Sequence, residues 1–197
     1  MKEFTVPMAL MDFLPVILFA VAAVLLQREF YYKMGKGAFA LFAAGTIDVI
    51  CAGFCKALYK LLYAAGICDL EPFNSIFFPL QSIGFLLAGL GVIAMVCRKQ
   101  SENELKSVAP VAVTGTMFFV SIMIVGLGLM FTGLCILAAR MKKPLVIVFF
   151  VLSFICMLGM GYLSSRDFSG SAVNWMAQCI NTGAQLLLLL GVLQLRK

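Results

Sequence analysis

The sequence predicts an all-α membrane protein with six transmembrane helices. Hydrophobic residues make up 63% of its 197 residues and charged residues only 12%, and the mean hydropathy is +1.06. This composition leaves too little polar surface for a soluble globule. Six apolar stretches are each long enough to cross a bilayer. They are Met8–Leu26, Gly37–Cys55, Ser75–Cys97, Val108–Ala139, Pro144–Leu163 and Ala172–Leu195.

The connections between these stretches are short, so we expect one membrane domain and no separate soluble domain. The net charge of +6 comes from Lys and Arg residues at the ends of the apolar stretches, where they meet lipid headgroups. The basic balance therefore predicts the lipid bilayer as a partner and no binding of nucleic acid.

The first span and the second span each carry charges near one end. Asp12 precedes Pro15 by one turn, and we interpret it as a helix cap or a residue at the membrane interface. Lys56 and Lys60 share one helical face after the second span, which predicts an interfacial extension of that helix. Gly66 then ends the helix.

The fourth apolar region is too long for one upright crossing and too short for two crossings with a turn. We interpret it as one tilted or broken helix, with Gly126, Gly128 and Gly133 as bending points. A seven-span arrangement that splits this region is the alternative.

A weak internal repeat relates residues 1–100 to residues 101–197. Lys33-Met34-Gly35-Lys36 aligns with Arg140-Met141-Lys142-Lys143, and Thr46 aligns with Ser153. Since each half contains an odd number of spans, the second half should enter the membrane from the opposite side. The sequence therefore predicts two inverted three-helix repeats. In that arrangement the basic residues divide almost equally between the two membrane faces, and orientation stays open.

Asp48 is the one carboxylate near the middle of a span. An ionised side chain at this depth is costly unless it is paired or hydrated. It could bind a proton or cation in a transport path, or be a neutral structural hydrogen-bond partner. A third reading places it nearer the interface and paired with Lys56.

The sixth span carries amides along one helical face. Polar side chains cannot face lipid without cost, so these must line a cavity or bond to neighbouring helices. Gln81 and Ser82 occupy the repeat-equivalent positions on the third span. The predicted solute or ion path consists of Asp48, Gln81, Ser82, Asn174, Gln178, Asn181, Thr182 and Gln185.

We predict no cofactor, no metal site and no catalytic residue. Seven scattered cysteines predict free thiols, and the Cys51 and Cys55 pair with twelve Met residues is a weak indication of copper. The chain has no His, which removes the common general base. Small-residue rows such as Gly37, Ala40 and Ala44, or Gly126 and Gly133, predict close helix approach.

The predicted function is a small transporter or channel, in the cell membrane, that moves an ion or small solute through a polar site near the midplane. The alternative is a non-transporting membrane subunit that binds a partner, senses a signal or binds solute within a larger complex. Six spans make a narrow scaffold, so a homo-oligomer is expected.

Overall fold

The computed structural model describes residues 5–97, 116–164 and 171–196, with the side chains of 118–160 and 174–196 in the two later ranges. The described residues are almost entirely helical. The helices are α1 (Val6–Met11), α2 (Phe13–Phe30), α3 (Lys36–Ala65), α4 (Glu71–Ser75), α5 (Phe77–Cys97), α6 (Thr116–Arg140), α7 (Pro144–Ser164) and α8 (Ser171–Arg196).

Within these described ranges, five helical segments are long and apolar enough to cross a membrane. They are Val6–Phe30, Lys36–Ala65, Glu71–Cys97, Phe118–Arg140 and Asn174–Arg196. The apolar helix α7 occupies the position of the predicted fifth span. The all-helical membrane architecture is therefore confirmed. The fourth region is one continuous helix from Thr116 onwards, and its predicted first part lies outside the described residues.

Two helices end in the same local motif. After α3, the backbone N–H of Ile67 donates to Leu62 O and that of Gly66 donates to Tyr63 O, with Gly66 left-handed at φ 72°. Glycine adopts this conformation without a Cβ clash. Lys142 has the equivalent position after α6, at φ 56°. The predicted stop at Gly66 is confirmed.

The six long helices form a closed ring of neighbours. Helix α2 packs on α3, α3 on α5, α5 on α6, α6 on α7, α7 on α8, and α8 again on α2. Large side chains fill the space inside the ring, including Phe19, Phe85 and Met130. The rings of Phe19 and Phe85 meet edge to face at 5.9 Å, so α2 and α5 also touch across the interior.

Helices α5 and α6 run in the same direction. The Ser82 hydroxyl lies 2.7 Å from Phe119 O. Further along both helices, Gly126 lies against the backbone of Leu86. Near the far end, Gly133 lies against Val92. Along these three contacts the residue numbers increase on both helices in the same direction. This occurs only when two packed helices run parallel.

Contacts among the other pairs extend this result to the whole ring. Val16 of α2 meets Gly53 of α3, and α3 and α7 run opposite to the helices before and after them. Arg196 lies 4.0 Å from Glu29, so α8 runs parallel to α2. The three long helices of the first half, α2, α3 and α5, therefore run in the same directions as the corresponding helices of the second half, α6, α7 and α8. The predicted inversion is wrong for the described helices, because α6 starts at the same end of the bundle as α5.

The two ends of the bundle differ sharply in charge. The Arg196 end is where α2, α5, α6 and α8 finish and α3 and α7 begin; the Ala65 end is the opposite one. Described Lys and Arg residues at the Arg196 end are Arg28, Lys33, Lys36, Arg140, Lys142, Lys143 and Arg196. At the Ala65 end the described ones are Lys56 and Lys60, both inside α3. The predicted near-tie between the two faces depended on the inversion and is wrong for these residues.

Glycines allow the closest helix contacts. A Cβ on Gly45 would lie 2.4 Å from the backbone of α5, and one on Gly126 would lie 2.5 Å from the backbone nitrogen of Leu86. The close approach predicted for Gly126 and Gly133 is confirmed. The row of Gly37, Ala40 and Ala44 is instead exposed on the outside of α3. No described helix of this chain approaches Gly37, where an added Cβ would have no neighbour within 4 Å, so close approach to this row stays a prediction.

Candidate functional site: a buried ion pair and an unpaired amide row

The most polar part of the interior begins at Asp12, between α1 and α2. Pro15 has no N–H to donate to Met11 O, which explains why the helix is interrupted at this point. Asp12 is only 8% exposed and makes no capping hydrogen bond. Its Oδ2 lies 2.8 Å from Lys60 Nζ. The interpretation of Asp12 as a helix cap is therefore wrong, since its carboxylate is buried in an ion pair instead.

Lys56 lies one turn before Lys60 on the same face of α3. Its Nζ is 3.8 Å from the centroid of the Phe77 ring and 5.3 Å from that of Phe78, at the start of α5. Its electrostatic neighbours are Lys60 and Asp12. Stacking on aromatic faces stabilises an ammonium group partly removed from water. The predicted interfacial extension is therefore the part of α3 that brings two ammonium groups into the bundle.

Gln178, Thr182 and Gln185 lie along one face of α8. Gln178 and Gln185 are each 8% exposed. Gln178 Oε1, Thr182 Oγ1 and Gln185 Oε1 are buried, and none has a hydrogen-bond partner among the described residues. Such acceptors cost free energy when they are removed from water and left unpaired. Asn174 and Asn181, on the same side of the helix, are half-buried.

The amide row lies on the face of α8 that carries Arg196. Gln178 and Arg196 are 18 residues apart, which is five full turns, so they share one face of α8. Arg196 lies 4.0 Å from Glu29 near the end of α2. Since α2 and α8 both begin at the Ala65 end, Gln178 and the ion pair each lie in the half of the bundle nearer that end.

Ser82 and Ser153 hold helices together. Ser82 is fully buried, with its hydroxyl within hydrogen-bond distance of Phe78 O and Phe119 O. Ser153 donates to Ala184 O, which joins α7 to α8. Thr46, aligned with Ser153 in the repeat, accepts a hydrogen bond from Gln27 Nε2 at 2.7 Å, which joins α3 to α2. These hydroxyl groups are committed to helix packing.

Asp48 lies at the edge of the outer side of α3, between exposed Ala44 and Cys51 and buried Gly45 and Ala52. It is half-buried and has no ion-pair or hydrogen-bond partner among the described residues. Its neighbour Ile47 is 52% exposed, and Ala44 and Cys51 on the same side are exposed. Because α3 packs against α2 and α5 while α8 packs against α7 and α2, the structure does not bring Asp48 to the amide row.

The remaining predicted residue, Gln81, is half-buried one turn after Phe77. It therefore lies next to the aromatic pair that holds Lys56. All seven cysteines are free, as predicted. Among the described side chains, no three His, Cys, Asp or Glu residues come together as a metal site would require.

Two signals in the sequence mark the residues of the ion pair, although they do not show that these residues pair with each other. Pro15 marks the interruption that turns Asp12 inward, and the spacing of Lys56 and Lys60 places both on one face of α3. Comparison of the chain with protein-family models, with curated proteins and with solved structures finds no match in any of the three.

Proposed function

We propose that this protein is a membrane transporter or channel for a small polar solute or ion. The observation that carries the proposal is the buried, unpaired row of Gln178, Thr182 and Gln185, in a bundle that also buries the Asp12–Lys60 pair. Ionisable and polar groups inside a membrane bundle are costly and characteristically mark solute or ion pathways. A passing solute would supply the hydrogen-bond donors that these acceptors lack.

The order of the helices supports the same proposal. Each half contributes three long helices that run in the same directions as their counterparts in the other half. If α2 corresponds to α6 and α5 to α8, the packing of α2 on α8 is equivalent to the packing of α6 on α5. Parallel repeats related by an axis along the membrane normal occur in transporters, with the solute site between the halves. In this proposal the halves are parallel repeats, and the path runs along the faces of α2 and α8.

The charges support one orientation. Cytoplasmic loops of membrane proteins carry an excess of Lys and Arg. Seven described basic residues lie at the Arg196 end and two at the Ala65 end. Those two contact Asp12 and the Phe77 ring inside the bundle. We therefore place the Arg196 end in the cytoplasm, in a protein of the cell membrane, with the polar site opening towards the other side.

The test is flux through the purified chain in liposomes. The solutes are a panel of radiolabelled sugars, amino acids, carboxylates and inorganic ions. We expect at least one class to enter, and the double variant Gln178→Leu with Gln185→Leu to lower its rate about tenfold or more, the effect of losing roughly 1.4 kcal/mol in the path.

Gln194→Leu is the matched control, because Gln194 lies on the same helix near the Arg196 end, outside the row. Its rate should equal that of the unmodified chain. Liposomes that take up no member of the panel, or equal rates for all three proteins, would overturn the proposal.

A second candidate is a non-transporting subunit of a larger membrane complex, favoured by the outer face of α3. Ala40 and Ala44 are exposed four residues apart, and Asp48 lies one turn further without a described partner. Small residues let a second helix approach closely, and a carboxylate in the membrane favours a partner with a basic or amide side chain. A partner protein that co-purifies with the unmodified chain but not with the Ala44→Leu variant would favour this function, provided that the chain alone shows no flux in liposomes.

A further inference from the structure

We infer that the polar site binds a small oxyanion, a carboxylate or phosphate group, through Lys56. This inference rests on the proposed function, since it names the chemical class of the solute. It starts from the balance of ionisable groups: two lysines, Lys56 and Lys60, share the site with one carboxylate, that of Asp12.

Lys60 is already matched by Asp12, and Lys56 is left with the aromatic rings. The Lys60 Nζ atom and the Asp12 carboxylate form an ion pair at 2.8 Å. Among the described residues, no carboxylate lies within ion-pair distance of Lys56 Nζ. An ammonium group in a membrane interior without a counter-charge is costly, and aromatic faces replace only part of its hydration. An incoming anion would restore the balance.

Other features of the Ala65 end add to the positive potential. The N-termini of α2, α5, α6 and α8 all lie there, each with the partial positive charge of unsatisfied N–H groups. Helix α5 begins at Phe77, beside Lys56. The acidic residues Asp69, in the turn after α3, and Glu71, at the start of α4, are both exposed.

One amide group on the neighbouring helix lies close to the aromatic rings that hold Lys56. Gln81 lies one turn beyond Phe77 on α5 and can donate through its Nε2. Lys60 meets Asp12 and Gly53 meets Val16, so Lys56 lies at the depth of residues 12–16 of α2.

The experiment measures binding by thermal unfolding of the purified full chain in neutral detergent. The probes are succinate, lactate and inorganic phosphate, with choline and glycerol as the cationic and neutral comparators. We expect the anions to raise the unfolding temperature in a concentration-dependent way and the comparators to have no effect. Lys56→Gln should weaken the apparent affinity about tenfold or more, the effect of losing one charge-assisted hydrogen bond.

Two control variants define the result. Lys36→Gln removes an exposed lysine at the opposite end of the same helix and should bind like the unmodified chain. Lys56→Arg keeps the charge and should retain most of the binding. Equal responses of the unmodified chain and Lys56→Gln, or stabilisation by choline or glycerol alone, would overturn the inference.

A parallel arm separates a free anion from a lipid headgroup. In vesicles of phosphatidylcholine with and without phosphatidylglycerol, stabilisation by the anionic lipid that Lys56→Gln abolishes would identify the headgroup as the oxyanion. Flux of a neutral or cationic solute that Lys56→Gln leaves unchanged would refute the anion site while the transport function stands. Anion binding without any flux would refute transport while the site stands.

Discussion

Asp12 and Lys60 form an ion pair, with Oδ2 and Nζ 2.8 Å apart, between two helices of a membrane bundle. Their side chains are 9% and 15% exposed. Breaking such a pair leaves an uncompensated charge, whereas replacing both partners by apolar groups is often neutral.

Asp12→Ala should therefore lower the free energy of unfolding by about 3 kcal/mol, because the buried Lys60 ammonium group loses its carboxylate counter-charge. The double variant Asp12→Leu with Lys60→Met should recover most of that loss. Thermal unfolding in detergent micelles measures both. A double variant as unstable as Asp12→Ala would contradict the explanation.

Gly126 and Gly128 provide a test of the parallel contact between α5 and α6. A Cβ on Gly126 would lie 2.5 Å from the backbone nitrogen of Leu86, whereas a Cβ on Gly128 has no neighbour within 4 Å. Gly126→Ala should destabilise the protein by about 1 to 3 kcal/mol through overpacking. Gly128→Ala should be neutral or stabilising by up to about 1 kcal/mol, because Ala favours the helix. Equal unfolding temperatures for the two variants would argue against this packing.

Two native cysteines report the orientation of the chain. Cys68 is exposed in the turn after α3 at the Ala65 end, and Cys97 is exposed at the last residue of α5, at the Arg196 end. In variants that keep one of these thiols and replace the other six cysteines by Ser, a membrane-impermeant maleimide applied to intact cells should label Cys68. Cys97 should be labelled only after the cells are opened. The reverse result would place the Arg196 end outside.

Asp48→Asn should leave the solute flux and its pH dependence unchanged, because Asp48 lies at the edge of the outer side of α3 and away from the row on α8. Liposome flux at pH 5.5, 7 and 8.5 measures this, with Gln178→Leu as the variant in which flux falls. A flux that loses its pH dependence in Asp48→Asn would return this carboxylate to the path.

Part of the predicted set of polar residues is buried in the bundle. Gln178, Thr182 and Gln185 could be found from the sequence, because their spacing follows the helical period and four amides on one face cannot all meet lipid. Ser82 has the right spacing too, yet its hydroxyl contacts the backbone of α6. The pairing of Asp12 with Lys60 could not be found in this way. It depends on how α2 and α3 lie against each other, and both residues stand near span ends where charges are ordinarily solvated.

The sequence by itself determined that the chain is helical and membrane-embedded, and it located the six long helices closely. Those properties are local, because twenty apolar residues must hydrogen-bond their own backbone in lipid whatever their neighbours are. Only the tertiary structure decided the direction of α6, which begins at the same end of the bundle as α5. Direction follows from how the side chains of α6 fit against α5 at Gly89, Gly126 and Gly133. Hydropathy does not contain that information, because a span is equally apolar read either way.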